Sequence, residues 1–181
     1  MTTQSIKTFF SRAIATGVDF EELYQTELPR VYNFFRYRVG DNQFAEDLTA
    51  ETFEKAWRNR EHYRNDIAAF STWLFTIARR VAQDYYRKHR HNEIPLDEIS
   101  KISANELTED TFQQNADFAQ LSVLLVRLAD RERELVALKY GAGLTNRAIA
   151  HLSGLTESNV GVILYRTIQT LRSEWENDYE R

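Results

Sequence analysis

The chain of 181 residues contains no cysteine, two prolines and six glycines. The absence of cysteine excludes a disulfide framework and any thiolate metal site, and it suits a reducing compartment. The scarcity of proline and glycine leaves long stretches with few built-in breaks, so helical periodicity dominates. No apolar run approaches the length needed to cross a bilayer, and the N-terminal stretch has only a short apolar patch with no cleavable small-residue site. The expectation is a cytoplasmic protein without membrane insertion. Ligand-spaced partners are also missing around His62, His89, His91 and His151, so no metal is expected. There is no nucleophile motif and no phosphate-cradling glycine loop, so neither cofactor nor catalysis is expected.

Charge is unevenly placed. The net charge is −4, which argues against a general nucleic-acid binder. Yet from Phe70 to Asn92 five Arg or Lys stand against one Asp, and from Glu93 to Phe118 seven acids stand against Lys101. A basic segment followed at once by an acidic one indicates two parts with different partners.

The periodicity predicts an all-α fold of two small helical domains joined by an acidic, flexible linker, the second domain carrying a helix-turn-helix. The boundaries are an extension over 1–18, a first domain over 19–91, a linker over 92–115, a second domain over 116–176 and a tail over 177–181. In the first domain a helix covers Asp19–Val39 with a kink or restart at Pro29. A second helix covers Phe44–Arg60, Tyr63–Ala69 is a loop, and a third helix covers Phe70–Arg90. In the second domain helices cover Ala116–Leu128, Arg131–Tyr140, Asn146–Ser153 and Glu157–Glu174.

Three constellations carry chemistry. On a wheel of about 100° per residue, the segment from Phe70 places Trp73, Leu74, Ile77, Ala78, Val81 and Tyr85 on one side. The opposite side holds Thr72, Phe75, Thr76, Arg79, Arg80, Gln83, Tyr86, Arg87 and Arg90, a polar face in which cations alternate with aromatics. Cations suit phosphates and rings suit unstacked bases; the alternative is a surface helix whose rings pack on a neighbour. His89 and His91 would extend the basic patch. The second constellation is Glu46–Trp57, where Ala45, Leu48, Thr52, Phe53 and Ala56 form an inner stripe and Asp47, Glu51 and Glu54 stack outside. Such stacking costs a little helix stability and becomes favourable under a basic partner; a solvated acidic face is the plainer reading. The third is Leu144–Leu171. Thr145 and Thr156 stand at N-cap positions, Ala150 is small where helices cross, Gly154 suits the turn, and Val160, Ile163 and Leu164 face inward. Ser158, Asn159, Val162, Tyr165, Arg166 and Gln169 face outward as candidate groove readers. An ordinary helical hairpin would share this spacing.

In their order and spacing these pieces resemble the sigma-70 family of bacterial transcription initiation factors, specifically the small extracytoplasmic-function group, over roughly Phe20 to Trp175. EDLTAETFEKAW is similar to that family's polymerase-binding helix, FSTWLFTIARRVAQDYYRK to the adjoining helix that engages the melted promoter, and LTNRAIAHLSGLTESNVGVILYR to its upstream-reading helix-turn-helix. The resemblance implies that core RNA polymerase and promoter DNA are partners and that the polymerase supplies the catalysis. Asp47, Glu51 and Glu54 would meet the polymerase. Tyr63, Arg64, Asn65 and Asp66, with Arg79, Arg80, Gln83, Tyr86 and Arg87, would hold the melted strand. Ser158, Asn159, Val162, Tyr165, Arg166 and Gln169 would read the upstream element, and the acidic linker would thread the polymerase's basic RNA channel. An anti-sigma factor is a further partner of many such proteins. Two departures stand out: Arg80 occupies a position where the family often has Asn, and Gly161 and Ile163 occupy positions often basic. A conventional helix-turn-helix regulator and a polymerase-associated interaction adaptor are the competing readings.

Overall fold

Local sequence sets several of the helix ends. Gly40 adopts a positive φ of 76°, which closes the first helix, and Asp41 then caps the next by accepting from the Phe44 backbone N–H at 2.8 Å. The computed structural model describes residues 20–64, 66, 68–89 and 109–179. Its order is α1 (Phe20–Val39), α2 (Asn42–Arg58), a 3₁₀ turn (Arg60–His62), α3 (Phe70–His89), α4 (Glu109–Arg127), α5 (Asp130–Val136), a π-helical turn (Ala137–Gly141), α6 (Asn146–Ser153) and α7 (Glu157–Tyr179). The fold is all-α, with no strand among the described residues.

Several boundaries differ from those read in the sequence. Helix α1 runs through Pro29 without a restart; the proline is exposed, where a lost backbone hydrogen bond is replaced by water. Helix α2 stops at Arg58, two residues early, and the chain tightens into the 3₁₀ turn. The expected linker ends sooner than Asn115, because α4 begins at Glu109; the earlier part of that linker lies outside the described residues, as do Arg90 and His91. The helix expected over Arg131–Tyr140 divides into α5 and the π turn. Helix α7 continues to Tyr179, into the expected tail.

Helices α1–α3 bury Val31, Phe34, Phe35, Phe53, Leu74 and Phe75, and α4–α7 bury Leu124, Leu125, Leu135, Leu138, Ile149, Val160 and Leu164. Each such side chain contributes about 1.5–3 kcal/mol on removal from water. The two sets join in one continuous apolar cluster, and the main bridge is α1 against the π turn. Gly141 makes this approach possible: a Cβ there would lie 2.7 Å from the Asn33 carbonyl oxygen. Arg30 reinforces it, its Nε donating to the Ala142 carbonyl at 2.9 Å.

Candidate polymerase and nucleic-acid surfaces

The acidic helix α2 buries Ala45, Leu48, Thr49, Thr52, Phe53 and Ala56. Asp47 and Glu54 are exposed and Glu51 is half-exposed, as the wheel requires. The row is nevertheless partly neutralised from within. Lys55 Nζ sits 2.7 Å from Glu51 and 3.8 Å from Asp84 of α3, and Arg58 pairs with Glu54. These are solvent-screened pairs, worth about 0.2–1 kcal/mol each, so an incoming cation can displace them cheaply.

Beside the acids runs an apolar groove between α2 and α3, lined by Phe44, Asp47, Leu48, Glu51, Tyr85 and His89 among others. Phe44 is 41% exposed, and its ring lies 5.5 Å from that of Tyr85. His89 stacks on Tyr85 at 4.1 Å and its Nδ1 meets the Tyr85 carbonyl oxygen at 2.8 Å, so it belongs to this wall rather than to a free basic patch. Burial pushes the Tyr85 phenol up to about 12, keeping it neutral. Phe44 precedes the acidic stretch, and only its exposure on a helix end would have marked it in the sequence.

Helix α3 departs from its wheel at Phe75. The wheel puts that ring on the polar face, yet it is fully buried, 5.8 Å from the Phe34 ring and capped by the Arg30 guanidinium at 5.8 Å. The polar face itself is divided. Arg80, Gln83 and Arg87 are exposed, with Arg87 held 2.9 Å from Asp84. Arg79 is only 17% exposed: its Nε donates to Glu134 Oε1 at 2.9 Å, its Nη2 to Oε2 at 3.3 Å, and its Nη1 to the Leu152 carbonyl. Tyr86 donates its hydroxyl to the Arg38 carbonyl, and the Arg38 and Arg133 guanidiniums lie 4.7 and 5.5 Å from its ring. Burial raises the Tyr86 phenol above its ordinary value, outweighing the two cations. The expectation that Arg79 and Tyr86 face solvent is therefore corrected.

The loop before α3 is also partly packed. Tyr63 is half-buried, its ring 5.4 Å from Phe70 and 5.2 Å from Trp73. Arg64 and Asp66 form a two-point pair at 2.8 and 3.1 Å, which holds the Asp66 carboxyl below its usual range. Asn65 lies outside the described residues.

The helix-turn-helix assembles as its caps demand. Thr145 accepts from Ala148 N and Thr156 from Asn159 N, both at 3.2 Å, and Gly154 takes a left-handed φ of 70° between the helices. Val160 and Leu164 are buried and Ile163 half-buried. Ser158, Asn159, Val162, Tyr165, Arg166 and Gln169 are all exposed along one side of α7.

Among the described residues no helix is long and apolar enough to cross a membrane. Comparison with known proteins gives a consistent picture. The family description Sigma-70 region 2 matches residues 23–92. The chain is 33% identical over 165 residues to the ECF RNA polymerase sigma factor BldN of Streptomyces coelicolor, covering 88% of this chain and 62% of that protein. It is 29% identical over 157 residues to the ECF RNA polymerase sigma factor SigM of Bacillus subtilis, covering 84% of this chain and 93% of that one. Among solved structures, the sigma factor RpoE of Bartonella quintana, crystallised with the anti-sigma factor NepR, superposes with a TM-score of 0.70 at 22% identity, covering 87% of this chain and 97% of that one. At that identity the likeness is one of fold.

Proposed function

This chain belongs to the sigma-70 family, within its extracytoplasmic-function group of RNA polymerase sigma factors, and on that premise we propose that it joins core RNA polymerase and directs it to promoters through three separate surfaces. The observation that carries the reading is their chemical division on one helical frame. The acidic side of α2 and the adjoining groove at Phe44 suit a partner that offers cations beside an apolar side chain. The polar face of α3 offers Arg80, Gln83 and Arg87 to solvent, with Arg79 and Tyr86 of the same face engaged by neighbouring helices and with Tyr63, Arg64, Asn65 and Asp66 before it in the chain. Extruding bases costs a few kcal/mol, and stacking with phosphate contacts offsets that cost. The exposed side of α7 suits a major groove: hydroxyl and amide groups on Ser158, Asn159 and Gln169 for base edges, and Arg166 for phosphate or guanine.

The test is reconstitution with core polymerase on a genomic DNA library, with transcript starts mapped. Wild-type protein should give starts behind a shared upstream sequence. Asp47→Arg with Glu51→Arg should remain folded, since both side chains lie outside the core, and should no longer co-purify with core enzyme. Undiminished association of that folded variant would move the docking surface elsewhere. One observation favours the adaptor reading: Val162 and Tyr165 are 45% and 67% exposed on the recognition helix, an apolar pair that also suits a protein partner. Absence of any sequence preference in the library would decide for it.

A further inference from the structure

We propose that Val162 and Tyr165 of α7 read the C5-methyl groups of thymines on neighbouring base pairs of the upstream element, so that promoter choice by this chain depends on apolar contact in the major groove as well as on hydrogen bonds. The inference rests on the reading of α7 as a groove-facing helix given above, and it names the chemistry that part of this helix recognises. The two side chains are 45% and 67% exposed. They stand three residues apart, on one face of the helix. Their neighbours on that face are polar: Ser158 and Asn159 about one turn before Val162, and Arg166 and Gln169 beyond Tyr165, all exposed. Packing on the core side is carried by Val160, Leu164 and Thr167, so the fold does not require an apolar residue at either outward position. Helix stability does not account for them either, since valine and tyrosine are weaker helix formers than the common surface residues.

The chemistry of the groove supplies a partner for such a pair. Thymine is the base that carries a methyl group on its major-groove edge, and apolar side chains contact it there. The Val162 isopropyl group makes no hydrogen bond, so a polar base edge set against it would lose water without replacement, while a methyl loses nothing. Tyr165 adds a broad ring beside it. Three residues advance about 4.5 Å along a helix, and successive bases of one strand are about 3.4 Å apart, so the two contacts fall on adjacent base pairs. Cations contribute little here, because Gly161 and Ile163 are half-buried and uncharged and Arg166 is the one charged outward residue. A protein partner fits this pair less well. Two side chains bounded by polar groups cover far less than the roughly 800 Å² that a stable interface buries on each side.

The experiment uses holoenzyme and the upstream element that the promoter library selects. Each thymine of that element is replaced in turn by deoxyuridine, which keeps the base pair and the O4 acceptor and removes only the methyl. Wild-type holoenzyme should lose affinity by about fourfold at one or both of two neighbouring positions, the contribution of one buried methyl. Val162→Ser and Tyr165→Ser change exposed side chains and should stay folded, and each should bind thymine and uracil equally at one of those positions. Cytosine placed there should weaken wild-type binding, and 5-methylcytosine should recover about fourfold of that loss. A selected element without thymine, an element insensitive to uracil, or sensitivity that survives in both variants overturns the proposal. Failure of the underlying reading has a different signature: the library selects no upstream sequence at all, and Arg166→Ala binds as the wild type does.

Discussion

A methyl group at Gly141 would press on the backbone of α1, 2.7 Å from the Asn33 carbonyl oxygen and 3.0 Å from the Phe34 Cα, where no side chain can swing aside. Gly141→Ala should therefore cost about 1–3 kcal/mol, as overpacking does, read as a lower urea midpoint with unchanged helicity. Glu27 gives a second prediction. It is 5% exposed and accepts two hydrogen bonds from Arg30, at 2.7 and 2.9 Å. Burial nonetheless raises its carboxyl above the ordinary 4.5, outweighing the opposing effect of Arg30. The folded state then holds this proton to higher pH than the unfolded state does. The contribution to stability is fully present below the unfolded value of 4.5 and is lost as pH rises through the raised folded value. Glu27→Gln should remove that dependence, so the stability difference between wild type and variant should shift in the variant's favour as pH rises across this window. Denaturant titrations at a series of pH values would show it; a constant difference would mean that Arg30 fully compensates the burial.

At the scale of the element, α7 is both a packing helix and a reading helix, and the two duties fall on different sides of it. Val160, Leu164 and Leu171 are buried, while Arg166 is the one charged member of the six outward residues read as groove contacts. Arg166→Ala should cost about 1–3 kcal/mol in promoter binding by holoenzyme. Changes at Ser158 or Asn159 should alter base preference in a promoter library with little general loss. Gly161 offers the converse test. A Cβ there meets only Asn146 Nδ2, at 3.7 Å, so Gly161→Lys fits without strain and relieves a helical glycine cost of about 1 kcal/mol. It should tighten binding on many sequences and steepen the salt dependence by about one phosphate contact. If none of these variants shifts affinity or preference, α7 serves a protein partner.

Across the whole molecule, 27 acids against 23 Lys and Arg leave no general attraction for DNA. The basic part of α3 is further reduced by the covering of Arg79. The free protein should bind duplex DNA poorly at physiological salt and gain sequence-specific binding only with core polymerase. Gel shifts with each would measure this, and tight specific binding by the free chain would favour the conventional-regulator reading instead.

What the sequence by itself determined is what local physics controls. Thr145, Gly154, Thr156 and the spacing to Val160 specify a helix-turn-helix within about one helical turn of each feature, and α6 occupies Asn146–Ser153 as read. The outward row of α7 and the acidic side of α2 were legible for the same reason, since a single helix sorts its own residues by angle. A wheel has two sides but does not know its neighbours. The angle of Phe75 alone places it outward, yet α1 supplies Phe34 and Arg30 to bury it from 41 and 45 residues away. Tyr63 lies in the loop before α3 as its sequence implies, but its packing on Phe70 and Trp73 in an aromatic cluster is not legible there. Arg79 and Tyr86 carry the right chemistry for a melted strand, but whether they meet solvent was decided by Glu134 and Leu152 for the first and by Arg38 and Arg133 for the second, all more than 40 residues away. Such contacts depend on how two helical layers dock, and that is set by shape complementarity at places such as Gly141 and Asn33, where no periodicity in either segment announces the partner.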